Sequence, residues 1–229
     1  MTRLHDGKRT AVLFDLDGTL VDTAPDMVAV LQGLQRDHGF DPVPYDLGRS
    51  NVSNGALGLL RIAFPTKHID VDGPLIREYL RRYAGRVCEK SALFAGLDEL
   101  LLRLDQAARP WGVVTNKPAH LTEPLLRQLA LAERSACTVS GDTLRARKPD
   151  PAPLLYACKQ AGVDPQEALY IGDAERDIEA GRRAGVMTVA AAYGYITADD
   201  DPERWGADDI ARDTAELTRI VLKAVNLEP

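Results

Sequence analysis

The chain is short of cysteine, of excess positive charge and of long apolar runs, and each shortage removes a class of protein. Three cysteines in 229 residues, Cys88, Cys137 and Cys158, are odd in number and far apart. That spacing is neither a disulfide framework nor a zinc-ligand set, and it points to a reducing compartment. Lysine and arginine number 28 against 34 aspartates and glutamates, for a formal charge of −6. A mildly acidic surface lacks the basic patches that neutralise nucleic-acid phosphates, so no nucleic-acid partner is expected. A small anionic substrate is still admissible, because a few local cations and a metal ion can dominate one site. No apolar run approaches the ~18 residues of a membrane span, and the opening MTRLHDGKRT has no apolar signal core. The expectation is a cytoplasmic protein with no membrane partner, a monomer or weak homodimer. Hydrophobic residues at 45% and charged ones at 27% are globular rather than disordered composition.

Short apolar runs at 11–14, 111–115 and 168–171 read as strands buried on both faces, as a parallel sheet requires. Weaker strand candidates lie at 137–139 and 186–191. Helical patterns at 97–105, 121–129, 153–161 and 177–184 separate them, so strand and helix alternate from about residue 92 onward. The predicted fold is α/β, a doubly wound, Rossmann-like parallel sheet, in which ligands gather at the carboxyl ends of strands. The stretch 24–91 breaks this rhythm. It predicts helices at 27–38, 55–64 and 75–87, with Pro42, Pro44, Pro65 and Pro74 at the turns and no buried strand. The predicted domains are therefore a core of 1–23 and 92–229 and a small all-helical insert, 24–91, after the first strand.

Candidate chemistry falls at the predicted strand ends. The run VLFDLDGTLVD, starting at Val12, places Asp15 and Asp17 directly after an apolar strand. Residues i and i+2 of an extended chain point the same way, so both carboxylates can address one site. Gly18 permits a tight turn, and Thr19 adds a hydroxyl and a backbone N–H. A bare DxD is ordinarily a polar turn; the preceding apolar strand and the rest of DLDGTLVD argue for a site. Thr115 and Asn116 follow the second strand, where hydroxyl and N–H donors suit phosphate oxygens. Lys148–Pro149 follows the strand near Val139, where a lysine is more ordinarily a solvated surface group. Asp173 follows the strand at 168–171 and could be only a helix N-cap. Asp177, at i+4, can share its side of a helix. With Asp15 these acids make an oxygen-rich cluster suited to a hard cation such as Mg²⁺. In the insert, Ser53, Asn54 and Gly55 read as the opening of a helix whose free N–H groups can face an anion, or as a plain N-cap.

Asp15-Leu-Asp17-Gly-Thr19, Thr115-Asn116, Lys148-Pro149 and Gly172-Asp173…Asp177 resemble, in order, the four motifs of the haloacid dehalogenase superfamily of phosphatases. The resemblance covers nearly the whole chain, including a helical cap inserted after the first motif. It implies a phosphatase for a small phosphorylated metabolite, with Mg²⁺ as cofactor. Asp15 would be the nucleophile that forms an aspartyl-phosphate, and Asp17 the general acid and base. Gly18, Thr19, Thr115, Asn116 and Lys148 would hold phosphate. Asp15, Asp173, Asp177 and the backbone carbonyl of Asp17 would serve the metal.

DTAPD, SNGA (from Ser53), TNKP and KPDP are similar to the phosphoglycolate phosphatase branch. The stretch YGYITADDDPERWGAD, from Tyr193, departs from that branch. It resembles the related N-acetylmuramic acid 6-phosphate phosphatases instead, as WGVVTNKP and LAERSA also do. The substrate expected is thus 2-phosphoglycolate or N-acetylmuramic acid 6-phosphate. Two other readings compete: a phosphomutase of the β-phosphoglucomutase type, and a non-enzymatic phospho-receiver module. A receiver has no use for Asp17 or for a helical insert.

Overall fold

Ala11–Phe14 (β1), a strand of four apolar residues, lies in the middle of the sheet. In the computed structural model, which describes residues 10–228, six parallel strands lie in the order β5-β4-β1-β6-β7-β8. The others are Trp111–Val114 (β4), Cys137–Val139 (β5), Ala168–Gly172 (β6), Met187–Ala191 (β7) and Asp209–Ala211 (β8). Val12 and Phe14 enter one apolar cluster and Leu13 the opposite one, the period of a strand covered on both faces. The expectation about a signal core concerned MTRLHDGKRT, which apart from Thr10 lies outside the described residues. No helix among those residues is long and apolar enough to cross a membrane.

Helices fill both faces. Ala152–Ala161 (α7) and Glu175–Ala184 (α8) pack Leu154, Ala157 and Ala180 against Leu13 and Tyr170. Leu97–Gln106 (α5), Ala119–Gln128 (α6) and Thr214–Ala224 (α9) bring Leu100, Leu125 and Leu217 to the other face. Glu175 and Asp177 occupy the first turn of α8 and Arg182 and Arg183 its last, matching the helix dipole at both ends. Neighbouring strand ends are level: Phe14 is paired with Val113 on one side and with Ile171 on the other. The residues that follow, Asp15, Thr115 and Asp173, therefore emerge along one rim, where the chain turns to opposite sides of β1.

Between β1 and α5 lies a helical layer: Ala24–Asp37 (α1), Tyr45–Ser50 (α2), Gly55–Ala63 (α3) and Pro74–Ala84 (α4). Its entry and exit are paired. Val21–Asp22 (β2) and Ala92–Leu93 (β3) form an antiparallel ribbon, with Asp22 opposite Ala92. Asp26, in the first turn of α1, accepts the N–H groups of Lys90 and Ser91 and the Ser91 hydroxyl (2.7 Å). Helix α1 begins three residues before the predicted 27 because Pro25, in its first turn, needs no N–H partner there. The helix α2, the β2–β3 ribbon, strand β8 and helix α9 were not among the predicted elements. The predicted 111–115 strand ends at Val114, so Thr115 stands just past the strand on the rim.

Candidate active site

Lys148 organises the rim. Its ammonium, on a side chain 1% exposed, lies 2.9 Å from Asp15 Oδ1 and 2.7 Å from Asp177 Oδ1. It also donates to the Val114 carbonyl (2.9 Å) and the Tyr170 hydroxyl (2.7 Å). A lysine so buried must be paired, and the solvated-surface reading of Lys148 is thereby excluded. Asp15 comes off the sheet with its N–H bonded to the Ile171 carbonyl (2.8 Å), which fixes its backbone on the rim. Leu16 N–H and Lys148 both meet Oδ1, so Oδ2 is the oxygen left without a hydrogen bond among the described residues.

Asp15, Asp173 and Asp177 each offer an oxygen within 4.8 Å of the others, and all three are buried. Burial pushes the Asp15 carboxyl up, opposed by the Lys148 charge and reinforced by Asp177. Burial, then the charges of Asp15 and Asp177, push Asp173 up to about 7. Such crowding of carboxylates is relieved by a divalent cation. The donors are hard oxygens, so the cluster fits Mg²⁺ in chemistry. Asp173 is not the helix N-cap that its position allowed; Ala174 holds that place, and Asp177 Oδ2 accepts the Ala174 N–H at 3.1 Å.

Gly18 is required where it stands. Its φ is +82°, and a Cβ there would lie 2.0 Å from Asp173 Oδ2. Thr19 is fully buried, its hydroxyl directed at Asp173 Oδ1 (3.5 Å) and its carbonyl accepting from Tyr193 (2.8 Å). The structure thus puts Thr19 behind the acid cluster, as a brace. Thr115 is on the rim, its hydroxyl accepting the Lys117 N–H (3.1 Å) and keeping its own proton to donate. The Asn116 side chain staples two rim loops together, giving its Nδ2 to the Lys148 carbonyl (3.0 Å) and taking the Lys148 N–H (3.1 Å).

Asp17 sits beside this cluster. Its Oδ1 accepts from the Thr23 hydroxyl (2.6 Å) and pairs with Lys117 Nζ (2.9 Å). Ser53 reaches across from the turn before α3 to donate its hydroxyl to Asp173 Oδ2 (2.6 Å). Its carbonyl accepts from Arg176 (2.7 Å). Asn54 is turned away, its side chain on Asn51 (3.4 Å), and Gly55 leads into α3. The predicted Ser53–Gly55 trio is therefore split: Ser53 meets the acid cluster, and Asn54 does not.

Several site residues were within quoted motifs but not singled out. Lys117 is i+2 from Thr115, and Arg176 directly precedes Asp177. Burial opposes the charge on Arg176, but Asp177, Asp15 and Asp173 outweigh it and raise its pKa. Tyr195 donates its hydroxyl to Asp22 (2.7 Å), accepts the Ala24 N–H (2.9 Å), and gives its backbone N–H to Asp173 (2.9 Å). Arg49, from α2, lies 4.9 Å over the Tyr195 ring. A Cβ on Gly194 would meet Asp173 Cβ at 2.3 Å, so only glycine lets the Tyr193–Tyr195 segment lie this close. The YGY run thus connects the acid cluster to the entry of the helical layer.

Residues 12–191 match the family described as haloacid dehalogenase-like hydrolase, a span running from β1 to the end of β7. The chain belongs to that family. It is 45% identical over 219 residues to the N-acetylmuramic acid 6-phosphate phosphatase of Pseudomonas aeruginosa, covering 94% of this chain and 96% of that protein. It is 43% identical over 209 residues to the phosphoglycolate phosphatase of Xanthomonas campestris pv. campestris (strain 8004), covering 90% and 94%. Among solved structures it resembles a predicted phosphoglycolate phosphatase from Haemophilus somnus 129PT. That match has a TM-score of 0.83 and 27% identity, and covers 94% of this chain and 99% of the other. As a haloacid dehalogenase-like hydrolase, the chain has the α/β core expected of it and is an enzyme of the phosphatase-bearing part of the family. The family bond also removes the receiver-module alternative.

Proposed function

We propose that this hydrolase is a Mg²⁺-dependent phosphatase of a small, carboxylate-bearing phosphomonoester, acting through an aspartyl-phosphate on Asp15. The observation that carries the reading is the pairing of Asp15 with buried Lys148 at a strand end, with Asp17 beside it. One carboxylate is electrostatically held and rigidly aimed, and the second, anchored through Oδ1, keeps its other oxygen to move a proton.

In this reading Asp15 Oδ2 attacks phosphorus in line, and the bond to the leaving oxygen breaks as Asp17 protonates it. Asp17 then takes a proton from the water that hydrolyses the aspartyl-phosphate and restores Asp15. Lys148 holds fixed positive charge against the transferring group, while the Thr115 hydroxyl and the Asn116 N–H hold its oxygens. Mg²⁺, held by Asp15, Asp173 and the Asp17 carbonyl with Asp177 beside it, would supply further positive charge there. Residues 24–91 act as a cap, and the paired β2–β3 linkers are its hinge.

The cap seam supports a carboxylate in the substrate. Arg49 and Arg176 both lie there, beside the Ser53 turn and the acid cluster, and a guanidinium matches a carboxylate in two-point geometry. The relatives' names suggest two such esters, and the 193–208 stretch favours N-acetylmuramic acid 6-phosphate over 2-phosphoglycolate. The test is kcat/KM for both acids against glucose 6-phosphate. One acid should exceed the neutral sugar by at least ~10²-fold, because the cations of the seam go unpaired when a neutral ligand binds. Equal values for all three would remove the carboxylate reading.

A further inference from the structure

Lys117 is a cation with no evident task in phosphate binding. Its side chain is 4% exposed, and its ammonium lies 2.9 Å from Asp17 Oδ1. It donates as well to the hydroxyl of Tyr83, 2.9 Å away near the end of α4. The backbone beneath it is fixed, since the Lys117 carbonyl accepts from Gly141 N–H (2.8 Å) and the Thr122 hydroxyl (3.1 Å). Moving the ammonium onto a phosphate would leave a partly buried carboxylate without its cation, a costly exchange.

The two contacts on Asp17 share a feature. Thr23 Oγ1, at 2.6 Å, and Lys117 Nζ both fall on Oδ1. Oδ2 takes no hydrogen bond from the described residues, and the Asp17 side chain keeps 16% exposure. One oxygen is anchored and the other is presented. Two of the three groups involved, Thr23 at the entry to α1 and Tyr83 on α4, belong to the helical layer or its threshold.

We infer that Lys117 is a positioning residue: with Thr23 it pins Oδ1 of Asp17, leaving Oδ2 to carry the proton, and through Tyr83 it ties that alignment to the seating of the helical layer. The inference rests on the phosphatase reading above, with Asp17 as acid. The ammonium gives up no proton and touches no substrate; its effect passes through Asp17. Alignment of the acid is complete only while α4 rests on the rim, so the helical layer would gate proton transfer as well as access.

The test exploits the leaving group. An alkoxide needs its proton in the transition state, whereas p-nitrophenolate departs without one. Wild type and Lys117→Met are compared on p-nitrophenyl phosphate and on whichever of N-acetylmuramic acid 6-phosphate and 2-phosphoglycolate wild type hydrolyses faster. The loss in kcat on the alkyl ester should exceed the loss on the aryl ester by about 30-fold or more, with KM little changed. Adding Lys117→Met to Asp17→Asn should cost the alkyl ester less than about threefold more, because the lysine has no carboxylate left to aim. Equal losses on the two esters, or a full further loss in the double variant, would overturn the inference and make Lys117 a phosphate ligand or a packing residue. Should Lys117→Met fail to fold by circular dichroism, Tyr83→Phe decides. It removes one hydroxyl and should show the same bias towards the alkyl ester at about three- to tenfold; no bias overturns the proposal. Wild type inert on every phosphomonoester would instead overturn the phosphatase reading itself.

Discussion

Ser53 and Asp173, 120 residues apart in the chain, meet through a hydroxyl that donates to Oδ2 at 2.6 Å. The same oxygen accepts the Tyr195 N–H at 2.9 Å. These two donors favour the charged form of a carboxylate that burial and its acidic neighbours push the other way. Removing the hydroxyl in Ser53→Ala withdraws a charge-assisted bond of roughly 1.5–3 kcal/mol at most. The Mg²⁺ concentration giving half-maximal activity at pH 7 should rise about three- to tenfold. An unchanged Mg²⁺ requirement would reduce Ser53 to a contact between layers.

Asp173 also sets a pH dependence. With its pKa raised to about 7 in the metal-free fold, against 3.8 for an ordinary aspartate, the folded state holds a proton that the unfolded chain has released. Its contribution to stability is therefore present at low pH, falls as pH rises from about 4 to 7, and is level above. A divalent cation competes with that proton, so the rise in Tm produced by Mg²⁺ should be larger at pH 8 than at pH 6. EDTA should abolish phosphate release and Mg²⁺ restore it. A pH-independent Mg²⁺ shift would show that Asp173 is ionised throughout.

Asp15→Asn keeps the shape of the nucleophile and removes its charge. Turnover should fall by several orders of magnitude, and the phosphorylated intermediate should be absent from acid-quenched samples by mass spectrometry. Asp17→Asn should slow alkyl esters by about 10²- to 10⁴-fold. Near-normal kcat in either variant, in protein free of wild-type carry-over, would contradict the assignment.

Lys148→Met leaves Asp15 and Asp177 facing each other without the cation between them. Phosphatase activity should fall at least ~10³-fold, and the metal-free protein should lose about 3–5 kcal/mol, the scale for breaking a buried pair from one side. Mg²⁺ should recover part of that stability and none of the activity. Denaturant unfolding with and without Mg²⁺ separates the two effects.

Tyr195→Phe probes the link between the acid cluster and the β2–β3 ribbon, the hinge proposed above. It removes the hydroxyl between Asp22 and the Ala24 N–H, groups that are buried or partly so. About 1–3 kcal/mol of stability should go with it, and KM for the acid substrate should rise as the hinge loosens. Unfolding curves and steady-state kinetics on one preparation check both.

The strand-end acids were readable because apolar strands buried on both faces leave a strong signal, and a rim of ligands follows from it. AVLF, WGVV and ALYI were found for that reason. Strand β8 escaped because three residues, Asp209, Ile210 and Ala211, of which only the last is buried, carry no period. The β2–β3 ribbon, two residues a side, is fixed by tertiary pairing alone. Asp17's partners were hidden for another reason: Lys117 and Tyr83 are 34 residues apart and meet only when α4 is laid on the rim. Local sequence shows which groups are polar, not which of them will be shut away together.

The order of strands has a consequence for synthesis. Among the described residues β1 comes before every other strand, yet its neighbours are Trp111–Val114 and Ala168–Gly172. At about 5–20 residues per second, its second partner leaves the ribosome on the order of ten seconds or more after β1 itself. For that interval an apolar strand buried on both faces in the finished sheet is an unpaired edge, the condition that invites aggregation. Asp15 and Asp17, charges placed immediately after AVLF, then serve as gatekeepers of the nascent chain, long before there is a rim for them to line.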